Sequence, residues 1–183
     1  MRFSATPLDG AFVVDLEPIE DERGMFARSW SREDFADHGL DGRLAACNVS
    51  YNIAAGTLRG MHYQAPPHEE AKLVRCTAGS IFDAIVDIRP GSATFRKWFG
   101  IELNARNRTA LYVPAGIAHG FQTLVDDSEV LYLMSTPYVP EAARGVRWDD
   151  PAFGIDWPPA AGRVISERDR GYEDFAVGLP RGG

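Results

Sequence analysis

Short runs of alternating apolar and polar residues, each closed by a turn signal about ten residues on, occupy most of this chain. Ala11–Val14, Met25–Trp30, Leu44–Ile53, Lys72–Ala78, Ile81–Ile88, Trp98–Leu103, Thr109–Val113, Phe121–Leu124 and Glu129–Ser135 are the runs. Period-two alternation is the mark of a strand with one buried face. Many short strands at even spacing predict an antiparallel sandwich or barrel, the eight-strand jelly roll being its natural form. The faces are legible too. Cys47, Val49, Tyr51 and Ile53 share one side of their run, and Asn48, Ser50 and Asn52 the other. Tyr132 shares a side with Val130 and Met134, opposite Leu131 and Leu133. Asn104–Arg108 is a loop of hairpin length between two runs. Ser31-Arg32-Glu33-Asp34 reads as a capped helix start of about two turns, ending by His38-Gly39. From about residue 137 the alternation fades into a tail rich in Pro, Gly and Trp, expected to wrap the barrel and to end in a short helix near Ser166–Arg170.

Composition narrows the function. A chain of 183 residues, 45% hydrophobic and 25% charged, fits one domain spanning 1–183. A formal net charge of −7 argues against a nucleic-acid partner. No apolar run reaches the ~18 residues of a membrane span. Met1-Arg2-Phe3-Ser4 lacks the apolar core of a signal peptide. The expectation is therefore a cytoplasmic protein whose Cys47 and Cys76 are reduced core residues.

The chemistry concentrates in Gly56-Thr57-Leu58-Arg59-Gly60-Met61-His62-Tyr63-Gln64 and, after a proline break, Ala71-Lys72-Leu73-Val74-Arg75. In a regular strand Arg59 and His62 point to opposite faces. A bulge at Gly60 re-aims one of them. A basic edge strand with one partly buried histidine is the plain structural alternative. Barrel metal sites of the cupin type use two histidines one residue apart, and here the second position is Gln64. Lys72 and His119 complete no metal set, so no metal or other cofactor is expected. His68, between Pro67 and Glu69, is expected in solvent. Without a metal the same residues suit proton transfer. Imidazole is the side chain whose ordinary titration lies nearest neutrality, which suits His62 to act as a base. A tyrosine can donate a proton, and Lys72 and Arg59 can hold developing negative charge. Tyr132 is either that donor or a core tyrosine.

Five motifs in this order carry a resemblance. They are the Gly56–Gln64 segment; Lys72-Leu73-Val74-Arg75; Phe82-Asp83 with Val86-Asp87-Ile88-Arg89; Ala118-His119-Gly120-Phe121; and Trp148-Asp149-Asp150-Pro151. With Asp21–Phe26 before them and Ser166-Glu167-Arg168-Asp169 after, the chain resembles the dTDP-4-dehydrorhamnose 3,5-epimerase family. The resemblance implies a mainly β, cupin-like jelly roll with short peripheral helices. It also implies a homodimer, no metal, and a nucleotide-linked 4-keto-6-deoxyhexose as substrate. On it, His62 resembles the catalytic base and Asp169 its carboxylate partner, although Ser166–Asp169 also reads as a helix capping box. Tyr132 resembles the acid on the opposite ring face and Lys72 the group beside the C4 oxygen. Arg59, His119 and Tyr138 resemble pocket residues, Asn48 a residue of the substrate-contacting strand and Asp83 a supporting one. Arg23 and Phe26 resemble a segment that reaches the nucleotide in the partner subunit. The chain departs from the family at Ala46, where glutamine is common, at Glu69-Glu70-Ala71 before Lys72, and at Leu133. These departures leave a C3-only epimerase, or a relative using another nucleotide sugar, as the alternative. A metal-dependent cupin enzyme and a non-catalytic sugar-binding barrel stand further off.

Overall fold

The computed structural model describes residues 1–175, and its alternating runs pair into two antiparallel sheets laid face to face. Six strands form one sheet, in the order β1 (Arg2–Ala5), β2 (Phe12–Asp15), β10 (Ala110–Val113), β7 (Lys72–Ala78), β12 (Ser128–Met134) and β5 (Ala46–Asn52). Five form the other: β13 (Ala143–Gly145), β6 (Leu58–Gln64), β11 (Ile117–Thr123), β8 (Ser80–Asp87) and β9 (Trp98–Asn104). β3 (Ile19–Asp21) and β4 (Gly24–Phe26) make a separate ribbon. This is the antiparallel jelly roll that the spacing of the runs predicts, in the cupin-like form that the resemblance implies.

Because each strand alternates, the two sheets enclose one apolar layer and present two more outward. Between the sheets lie Val74 and Cys76 of β7, Ile81 and Ile85 of β8, Leu111 and Val113 of β10, Phe121 of β11 and Val130 of β12. Burying such side chains is worth roughly 1.5–3 kcal/mol each. The outer face of the six-stranded sheet is covered by helix α1 (Arg32–Asp37), whose Phe35 is fully buried against Phe3 and Tyr112. Ser31 caps that helix by accepting from the Asp34 N–H at 3.3 Å. The outer face of the five-stranded sheet carries Leu58, Met61, Ala84, Val86 and Ala118, and the tail covers it with Val146, Phe153 and Trp157. The tail ends in helix α2 (Glu167–Arg170), as expected. No described helix is long and apolar enough to cross a membrane.

Four local expectations are corrected. The apolar face of β5 points outward, with Val49 58%, Tyr51 54% and Ile53 75% exposed. β5 is an edge strand paired to β12 alone, and its polar side lines the hydrophilic end of the interior, where Asn52 bonds Ser50, Ser128 and Arg59. Cys47 is accordingly exposed, while Cys76 is buried as expected. Asn104–Arg108 joins no hairpin: β9 and β10 belong to different sheets, and the loop crosses from one to the other. The run Met25–Trp30 is extended only to Phe26, because the ribbon offers no partner beyond it.

Candidate active site

One irregularity sets the site. β6 and β11 pair His62 with His119 and Arg59 with Phe121, so two residues of β6 oppose the single Gly120. The bulge lies at Gly60 and Met61, as the sequence predicts. It puts Arg59 on the same side as His62, where Arg59 Nε donates to Asn52 Oδ1 at 2.7 Å. Gly60 has φ +133°, and a Cβ there would stand 2.5 Å from the Gly120 Cα. Only glycine fits a left-handed backbone pressed against another backbone.

His62 then meets the tail. Its Nε2 lies 2.8 Å from Asp169 Oδ1, and Asp169 Oδ2 accepts from the Gly60 N–H at 3.2 Å. Asp169 is in the first turn of α2, with its own N–H donated to Ser166 Oγ at 3.1 Å. The helix-cap reading and the partner-to-histidine reading are thus both realised, by different atoms of one residue. Asp169 is buried, which opposes its charged form. The His62 hydrogen bond and charge, the Gly60 N–H and Ser166 outweigh that and hold its carboxyl below the ordinary value.

The other sheet supplies the facing wall. Lys72 opens β7 on the inward side, and its Nζ crosses to donate to the His62 carbonyl at 3.2 Å. Tyr132 on β12 meets His119 of β11 edge to face, ring centroids 6.1 Å apart. His119 Nε2 in turn lies 2.7 Å from Asp83 Oδ1 of β8, both buried. Burial, and then the Asp83 carboxylate, push the Tyr132 phenol far above its ordinary value despite an opposing effect of Arg59. Tyr132 is therefore held in its protonated form. Two cavities adjoin at His62 and Arg168, which line both. One, of about 400 Å³, reaches Ala46, Asn48, Lys72 and Tyr138. The other, of about 430 Å³, reaches Arg59 and Asp169.

Among the described residues no three His, Cys, Asp or Glu side chains converge as a metal-ligand set. Gln64, at the second histidine position of a cupin metal site, is spent on structure. It donates to the carbonyls of His68 and Pro137 and accepts from the Val139 N–H. His68 is half-buried rather than in solvent, its N–H on the Ala65 carbonyl.

Residues 5–176 match the family model described as dTDP-4-dehydrorhamnose 3,5-epimerase. The chain belongs to that family. This epimerase is 46% identical over 145 residues to the dTDP-4-dehydrorhamnose 3,5-epimerase of Sinorhizobium fredii, covering 79% of this chain and 72% of the relative. Its fold superposes on the crystal structure of the enzyme of that name from Elizabethkingia anophelis with a TM-score of 0.92 and 37% identity, covering 96% of each chain. A 3'-monoepimerase from Streptomyces bikiniensis, in complex with dTDP-quinovose, aligns with a TM-score of 0.85 and 32% identity, covering 92% of this chain and 85% of that one.

Of the expected set, Tyr132, His119, Asp83, Arg23 and Phe26 line neither cavity. Tyr132, His119 and Asp83 form one chain of contacts inside the barrel, whereas Arg23 and Phe26 sit on the exposed β3–β4 ribbon, where Arg23 pairs with Asp21. Tyr138 is exposed at the cavity rim, and Ala46 leaves room in the wall beside Asn48. Three residues went unread in the sequence. Arg168 lines both cavities, and its place beside Asp169 was the available signal. Tyr172 lies edge-on to His62, centroids 6.2 Å apart, over Gly145, and no periodicity marks it. Glu70 is buried beside Lys72, and its place two residues before that lysine was the signal.

Proposed function

We propose that the chain inverts carbons flanking the ketone of a nucleotide-linked 4-keto-6-deoxyhexose, dTDP-4-dehydro-6-deoxyglucose, by way of an enolate. What supports this is a carboxylate-backed imidazole on one sheet, an ammonium from the other sheet bonded to the same histidine's carbonyl, and a phenol of that other sheet packed edge to face on His119, the register partner of His62. The C4 carbonyl acidifies the hydrogens on C3 and C5, so the substrate brings its own electron sink. His62 is the base: with Nε2 held by Asp169, Nδ1 is the nitrogen left to take the proton. The C–H electron pair moves into the ring and the carbonyl pair onto O4. Lys72 stabilises that charge where it develops, with Arg59 and His119 holding the substrate around it. Tyr132 gives its proton to the opposite face of the same carbon, which inverts it. Solvent then restores the phenol as His62 releases the proton it took. Asp83 supports His119, and Asn48 and Tyr138 contact the substrate.

The protein acts as a homodimer in this reading, over its whole length as one catalytic domain and in the cytoplasm. The exposed strip of Val49, Tyr51 and Ile53 supports an interface along β5, as does exposed Phe26 (74%) on the ribbon. Arg23 and Phe26 then reach a nucleotide bound mainly by the partner subunit. A second reading, inversion at C3 only, is favoured by the Ala46 departure and by the likeness to a 3'-monoepimerase. Incubation with dTDP-4-keto-6-deoxyglucose in heavy water, followed by NMR, tests both. Deuterium and inversion at C3 and C5 are expected. Deuterium at C3 alone selects the second reading, and deuterium at neither removes both.

A further inference from the structure

Glu70 is the one acidic side chain among the described residues lining the smaller cavity, and the acid–base scheme leaves it unused. It is buried, as is Lys72, and its Oε1 lies 3.0 Å from Lys72 Nζ. Its backbone is pinned to the end of β12. The Ala71 N–H donates to Ser135 Oγ at 2.8 Å, the Ser135 N–H to the Ala71 carbonyl at 3.0 Å, and Thr136 Oγ1 to the Glu69 carbonyl at 2.9 Å. The carboxylate is thus held on a rigid support rather than on a loose loop. An ammonium has three N–H donors. One of those on Lys72 goes to the His62 carbonyl, the Glu70 carboxylate lies at ion-pair distance on another side of the ammonium, and the remaining side is left for the cavity.

We propose that Glu70 is a positioning residue: as an acceptor it fixes the Lys72 ammonium so that its remaining N–H meets the oxygen of the reacting carbonyl. This rests on the reading of Lys72 as the cation beside O4. Two acceptors at fixed places turn a flexible four-carbon stem into an oriented donor. Reorientation at the moment of charge development is then avoided. The role needs an acceptor, not a charge, so glutamine serves and methionine, of similar length, does not.

The test uses the full-length protein and the variants Glu70→Met, Glu70→Gln, Lys72→Ala and Glu70→Met/Lys72→Ala. In Glu70→Met, kcat for deuterium exchange should fall roughly 10–100-fold with KM within about twofold, since the interaction matters most where charge develops. Glu70→Gln should return to within about threefold of wild type, and the double variant should be no slower than Lys72→Ala. A wild-type kcat in Glu70→Met, equal losses in Glu70→Met and Glu70→Gln, or losses that multiply in the double variant would each overturn the proposal. An arm independent of turnover keeps it separate from the epimerase reading. The Lys72 ammonium, held on two acceptors, should give a resolved ¹⁵N–H signal in wild type and Glu70→Gln and none in Glu70→Met. A signal that persists in Glu70→Met overturns the positioning role even if no sugar nucleotide is turned over.

Discussion

The imidazole of His62 has two nitrogens, and Asp169 takes one of them. That division is the basis of the first prediction. Asp169→Asn keeps the volume and the contact but removes the charge that favours imidazolium, and exchange should slow about 10²–10⁴-fold, the usual span for impaired acid–base catalysis. Rapid-quench exchange assays with His62→Ala alongside give the comparison, and His62→Ala should be no faster. The second concerns Tyr132, whose half-buried phenol is held in its protonated form. Tyr132→Phe should still wash deuterium into the substrate, because the base is intact, yet yield little inverted product. Normal inversion in that variant would make Tyr132 a core tyrosine and nothing more. At this scale the sequence was informative where one residue type has one chemistry, as with His62 and Lys72. It was silent where a role depends on the neighbour across a cavity, as with Arg168 and Tyr172.

Elements explain why residues far apart in sequence converge. The bulge in β6 turns an alternation that would separate Arg59 and His62 into one that unites them, and it requires glycine at 60. Gly60→Ala should therefore cost more than a normal strand substitution. About 1–3 kcal/mol of stability in urea titration is expected, together with loss of most exchange activity. Strand existence was legible because one-sided burial writes itself as alternation. Sidedness was not legible at β5, where the same alternation carries an apolar face outward. An edge strand with its apolar face outward and a strand that faces its own core have the same pattern. The crossing of Asn104–Arg108 between sheets was equally hidden, since loop length says how far a chain goes and not which layer it joins. β1 went unread because four residues, mostly exposed, carry too little pattern.

For the whole molecule, charge and assembly give two further expectations. Asp87 is fully buried and accepts from Arg89, Ser92 and Thr94, and burial is outweighed by these bonds, which lower its carboxyl from 3.8 to about 2. A depressed folded-state value stabilises the protein above the unfolded value and is lost as pH falls through the folded one. Stability should thus decline between about pH 4 and pH 2, by on the order of 2 kcal/mol from Asp87, with Asp169 acting in the same direction. In denaturant titrations Asp87→Asn should be less stable than wild type at pH 7 and lose less on acidification. For assembly, wild type should sediment as a dimer. Val49→Glu with Ile53→Lys, charging the exposed face of β5, should sediment as a monomer and bind nucleotide weakly. The −7 formal charge argues against a nucleic-acid partner, and the outward apolar face of β5 is where the proposed second copy is placed.

The two halves of the His62–Asp169 pair lie 107 residues apart, one in the barrel and the other in a strap laid over its back. On the proposed acid–base roles, catalytic competence is a report on whether that strap is fastened. Local opening of a terminal segment takes less free energy than global unfolding. A barrel with its tail peeled away keeps β1 to β12 and still loses the carboxylate that bonds His62. Thermal inactivation should then precede the loss of β-sheet signal in circular dichroism, and the gap between the two midpoints would measure how loosely the last turn is buckled.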